Sequence, residues 1–156
     1  MKIAQPMDRD ANRQIITSNE AFRLESTWTF AAATTGAVTA HTLFTVTDNV
    51  LLCVFGVVDT TLTSGGSATV EVGVTGNTAV LIGQSTATAL ADGEIWRDNT
   101  LTRVGAGEIT PMNIINDGSD IILTIGTATV TAGAIDFYCL WRPLNENSNV
   151  IATTPA

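Results

Sequence analysis

A chain of 156 residues is long enough to bury one core without metals or disulfides, so a single domain with tails is the expectation. Its formal net charge of −8 argues against a phosphate-backbone partner, because each neutralised phosphate needs a Lys or Arg and the chain has 7 in all. Charged residues make up 14% of the chain against the roughly 25% usual for soluble domains, so much of the surface is neutral and suited to coverage by other chains.

In chain order, residues 1–26 read as an extended N-terminal arm. They carry Lys2, Asp8, Arg9, Asp10, Arg13, Glu20, Arg23 and Glu25 with few large apolar side chains. The opening residues lack a hydrophobic signal core, and no run approaches the ~18 apolar residues that span a bilayer, so neither a secreted precursor nor a membrane protein is expected. Ser18 could cap a helical turn over Asn19–Leu24, but no apolar stripe follows to hold one.

From Thr27 the period changes to two and β-branched residues dominate. Trp28–Phe30 and Val38–Val46 read as strands separated by Thr34-Thr35-Gly36. After a turn at Thr47-Asp48-Asn49, the run Val50–Val58 predicts either a central strand covered on both faces or a strand at an interface. Ala68–Thr75 alternates cleanly, with Val70, Val72 and Val74 on one face. Gly76-Asn77 is a turn before the short strand Ala79–Ile82. Ser85–Asp92 reads as one or two helical turns ended by Gly93, with a second strand nearly as good a fit.

Glu94–Asp98 and Thr110–Ile115 read as strand ends with loops. Asn116-Asp117-Gly118-Ser119 predicts a hairpin turn into Asp120–Thr127, and the turn Thr131-Ala132-Gly133 precedes a last strand, Ala134–Arg142, stopped by Pro143. Val72–Gly76 and Leu123–Thr127 look faintly alike, as paired strands of one sheet might. Residues 144–156 read as a polar C-terminal tail. The whole predicts an all-β, jelly-roll-like antiparallel β-sandwich over residues 27–143.

Little in the sequence carries reaction chemistry. His41 is the one histidine, with no sequence neighbour to complete a metal site or a triad, and reads as a strand or interface residue. Cys53 and Cys139 fit either a disulfide or a nucleophile on one hand, or buried free thiols on the other, and the second reading is preferred. Asn116–Asp120 has the look of a calcium loop without its alternating acids and distant Glu, which favours a plain turn. Gly65-Gly66 and Gly105-Ala106-Gly107 lack the Lys-Ser/Thr of a phosphate cradle. Trp28, Trp96, Trp141 and Tyr138 fit a core or interface better than a sugar platform. No catalytic, cofactor-binding or metal residue is therefore assigned, and the expectation is a protein that is not an enzyme.

Between Ser67 and Trp141, the pieces Ser67–Val74, Ala89–Trp96, Thr131–Ile135 and Leu140–Leu144 resemble small virion proteins of tailed bacteriophages. The resemblance is to capsid decoration (cement) or head-associated proteins. It implies a non-enzymatic β-sandwich homo-oligomer, often a trimer, seated on the major capsid protein at the virion surface after assembly in the host cytoplasm. It implies no cofactor, nucleic acid or membrane partner. The alternative from another class is a glycan- or receptor-binding module of a phage fibre or tail, using an exposed Trp96 or Tyr138.

Overall fold

In a computed structural model of the chain, the described residues are 22–98, 113–116 and 118–153. The strands are β1 Phe22–Thr29, β2 Ala40–Thr47, β3 Val50–Ser64, β4 Thr69–Val74, β5 Asn77–Thr86, β6 Ile95–Trp96, β7 Asn113–Ile115, β8 Ile121–Gly126, β9 Val130–Pro143 and β10 Asn149–Ala152. They form two antiparallel sheets packed as a β-sandwich, so the all-β expectation holds. Sheet A has the order β1-β9-β3, with β6 and β7 both on the far edge of β3, and sheet B has the order β10-β2-β8-β4-β5.

The period-two pattern dictates which side of each strand is buried. Val50, Leu52, Val54 and Val58 of β3 and Ile135, Phe137, Cys139 and Trp141 of β9 point inward from sheet A. Leu43, Phe44, Val46, Val70, Val72, Ile121, Leu123 and Ile125 meet them from sheet B. A bulge between Thr42 and Phe44 lets the consecutive residues Leu43 and Phe44 both be buried. The two faintly similar stretches do lie side by side: β4 pairs with β8 in one sheet, with Val72 opposite Leu123.

Most connections cross from one sheet to the other, and β4–β5 is a hairpin, turned at Gly76 with φ +90°. The first crossover, after β1, is organised by the buried Thr35. Its hydroxyl donates to the Thr29 carbonyl at 2.7 Å and accepts from the Ala31 N–H at 3.0 Å. Trp28 Nε1 donates to the Thr35 carbonyl at 3.1 Å. A Cβ on the adjacent Gly36 would lie 1.9 Å from the Val130 carbonyl oxygen, so the chains approach too closely for any side chain.

Several boundaries differ from the sequence reading. Strand β1 begins at Phe22, inside the stretch read as arm, because Phe22, Leu24, Ser26 and Trp28 form an inward row against β9 that the intervening Arg23 and Glu25 disguise. Residues 1–21, the rest of that arm, and the Ser18 cap lie outside the described residues. Asn149–Ala152, read as patternless tail, adds β10 to the edge of β2 with Val150 buried opposite Val46. Thr131-Ala132-Gly133 is not a turn but a bulged part of β9, where Gly133 takes φ +121° against Leu62. Asn116–Ser119 is a crossover from β7 in sheet A to β8 in sheet B, not a hairpin. Ser85–Thr86 finish β5, and the helical suggestion reduces to a 3-10 turn at Ala87–Ala89.

Candidate functional site

The sandwich has two outer faces of different chemistry. Outward on sheet B stand Thr69 and Glu71 of β4, Thr78 and Gln84 of β5 and Thr124 of β8. Glu71 binds this layer together, one oxygen accepting the Thr78 hydroxyl and the other accepting Gln84 Nε2 at 3.1 Å. This face is mainly polar, with Ile122 on the central strand β8 and the exposed Ile151 on β10 as its large apolar members.

Sheet A presents the reverse. Strand register places its outward side chains in four rows. The first holds Ile114, Leu51 and Arg142, and the second Cys53, Leu140 and Arg23. The third holds Phe55, Tyr138 and Glu25, and the fourth Ile95, Val57, Asp136 and Thr27. Phe55 and Tyr138 stack with centroids 5.3 Å apart and planes 20° apart, and the Arg23 guanidinium lies 5.6 Å from the Tyr138 ring centre. Thr27 Oγ1 donates to Asp136 at 2.7 Å, and Arg23 meets Glu25 at 3.6 Å.

Leu51, Cys53, Phe55, Val57 and Leu140 are half-buried by one another, while Ile95 is 63% exposed and Ile114 67%. A continuous apolar and aromatic surface on one side of a sandwich marks a place where something else packs.

Strands β6 and β7 are two pieces of one edge opposite β3. Gly56 faces Trp96 and Leu52 faces Asn113, so four steps along β3 correspond to seventeen along the partner chain. Beside the stretch Cys53–Phe55, which pairs with neither β6 nor β7 among the described residues, lies a concavity of about 190 Å³ that also touches Leu81, Arg97, Asp98 and Asn113. That volume is below the ~300 Å³ at which small-molecule pockets usually begin.

The residues singled out for chemistry are dispersed. His41 packs its ring edge-on to Trp28 at 5.2 Å, with Nε2 3.3 Å from the Ala37 carbonyl oxygen, which makes it a brace for the first crossover. Among the described residues no group of His, Cys, Asp and Glu is placed to hold a metal. Asp120 accepts the Val46 N–H at 3.0 Å, a structural use of the acid, and Asp117 lies outside the described residues.

Cys53 and Cys139 are both free and point to opposite faces of sheet A. Burial and the nearby Asp98 carboxylate raise the Cys53 pKa, while burial and the Cys53 thiol push that of Cys139 up to about 12. Thiols kept protonated are poor nucleophiles.

The aromatic residues are likewise not assembled into a platform. Trp28, Trp96 and Trp141 are buried in the core, with Trp96 Nε1 donating to Ser85 Oγ at 3.0 Å, and Tyr138 alone of the four faces outward. Trp96, at 4% exposure, cannot serve as an exposed sugar-stacking residue.

The apolar face was half visible in the sequence. Residues of both parities in Val50–Val58 are apolar, and so are Tyr138 and Leu140 between the inward residues of β9. Ile95 and Ile114 were missed as members of it, because their strands are two and three residues long and give no period.

Family models, curated protein sequences and solved structures yield no match to this chain.

Proposed function

We propose that the protein is a non-enzymatic structural virion protein that self-associates and binds the outer lattice of major capsid protein to stabilise the head. The observation that carries the reading is the apolar outer face of sheet A, which has the composition of an interface core and the position of a solvent-facing surface. The short-range resemblance to decoration proteins supplies the capsid as partner and the virion surface as location.

A jelly roll is the finer fold in this proposal. Its support is the strand order: β1-β9-β3 followed by β6 and β7 in one sheet, β2-β8-β4-β5 in the other, and connections that alternate between sheets. Strand β10 is then an addition on the β2 edge. The charged residues 1–21 precede the edge strand β1, and their proposed role is to anchor the domain to the shell.

Co-sedimentation with capsid shells lacking this protein tests the reading. The full chain is expected to pellet with shells and to saturate, and a chain lacking residues 1–20 to bind more weakly. Full-length protein that stays in the supernatant overturns the capsid assignment, and unchanged binding of the shortened chain overturns the anchoring role.

A further inference from the structure

The order of charges along sheet A bears on how the self-association in the proposed function is built, and the inference rests on that part of it. Two cations, Arg142 and Arg23, stand outward in the first and second rows. Two acids, Glu25 and Asp136, stand in the third and fourth. Arg97 and Asp98, of opposite sign, follow β6 at the edge beside Cys53, so the polarisation along the strands is that of β1, β9 and β3, with apolar side chains between their charges.

We propose that two copies pack these faces together about a twofold axis that lies between them and runs across the strands. Face-to-face sheets align their strands within about 30° and sit ~10 Å apart. A twofold axis along the strands would keep the row order and set Arg142 and Arg23 against the same cationic end of the copy, a costly juxtaposition. An axis across the strands reverses the row order while leaving each strand over its own copy.

Arg142 then meets the partner's Asp136, and Arg23 meets the partner's Glu25. Each contact occurs twice, as a self-complementary interface requires. The same operation sets Ile114 in the first row over the partner's Ile95 in the fourth. These are the two most exposed large apolar residues of the face, at 67% and 63%. Nothing in the charge order was chosen to bring them together, so their pairing is an independent match. The contact makes a dimer in place of the trimer that the resemblance implies.

The test uses charge exchange in the full chain, read by sedimentation velocity over a range of concentrations. Arg23→Glu sets Glu against Glu across the axis, and Glu25→Arg sets Arg against Arg. Each is expected to weaken self-association by about tenfold or more, and the double exchange to restore it to within a few-fold. Both positions are exposed, so the variants are expected to fold.

As a geometric check, Ile95→Cys with Ile114→Cys is expected to give an oxidised covalent dimer that neither single variant gives. The two positions lie beside Val57 and Leu51, six residues apart on β3 and so ~20 Å apart, too far for a bridge within one chain. A chain that is monomeric at all concentrations, a trimer mass, or single exchanges that associate like the parent overturn the twofold contact. Shell co-sedimentation is read separately: its loss with an intact dimer sinks the capsid assignment alone, and its retention without a dimer sinks this contact alone.

Discussion

Trp96 and Phe137 meet edge to face on the inner side of sheet A, their ring centres 6.1 Å apart and their planes at 61°. The contact exists because Gly56 lies between them in the sheet, with Trp96 opposite on β6 and Phe137 opposite on β9. An inward side chain at that point would occupy the space the two rings share. A Cβ there would sit 2.7 Å from Ile135 Cγ2 and 3.4 Å from Phe137 Cε1.

Gly56→Ala is therefore expected to lower stability by ~1–3 kcal/mol through overpacking, measured by urea unfolding. Because β6 is held to β3 at this residue, Trp96 is also expected to become more accessible to a fluorescence quencher. A variant as stable as the parent, with Trp96 equally protected, would show that the rings are not packed against this glycine.

The Thr35 hydroxyl is expected to matter as much as any core methyl group. It satisfies the Thr29 carbonyl and the Ala31 N–H together in a buried crossover. Thr35→Val keeps the shape and leaves both backbone groups without that partner, for an expected loss of ~1–3 kcal/mol. Thr35→Ser keeps the hydroxyl and should lose less. A Thr35→Val variant as stable as the parent, with the loss confined to Thr35→Ser, would assign the effect to the methyl group instead.

Cys139 makes the protein sensitive to alkali. Its thiol is fully buried and its pKa is pushed up to about 12, whereas unfolding returns it to its ordinary value near 9. Above pH 9 the unfolded chain has lost this proton and the folded chain retains it, so stability falls as pH rises. The loss develops between pH 9 and 12, at up to ~1.4 kcal/mol per pH unit from this group. Below pH 9 both states hold the proton and the group contributes no pH dependence. Comparing unfolding curves of the parent and Cys139→Ala across that window isolates the effect, and parallel pH profiles would contradict it.

Much of the fold was legible because the strands that build the core are long and regular. The inward rows of β4, β8 and β9 follow from alternation, whereas β3, apolar at both parities, showed no preferred side, and the pairing of β4 with β8 was suggested by the likeness of Val72–Gly76 and Leu123–Thr127. What escaped is non-local. Whether a turn joins neighbours in one sheet or crosses to the other depends on the whole sandwich, so Asn116–Ser119 looked like a hairpin. The Arg23 and Glu25 charges hid the inward row of β1, because an edge strand can keep its outward side polar. The chemical candidates dispersed for the same reason. Trp28, Trp96 and Trp141 are distant in sequence, and only the packed sheets show that all three face inward.

The most direct test of the account is the solution mass of the unmodified full chain, measured by light scattering across a wide concentration range. The account predicts a concentration-dependent rise from the 16.3 kDa of one chain to about twice that value, as the apolar outer faces of sheet A become covered. A mass that stays at one chain throughout would contradict it, because that surface would then remain open to water.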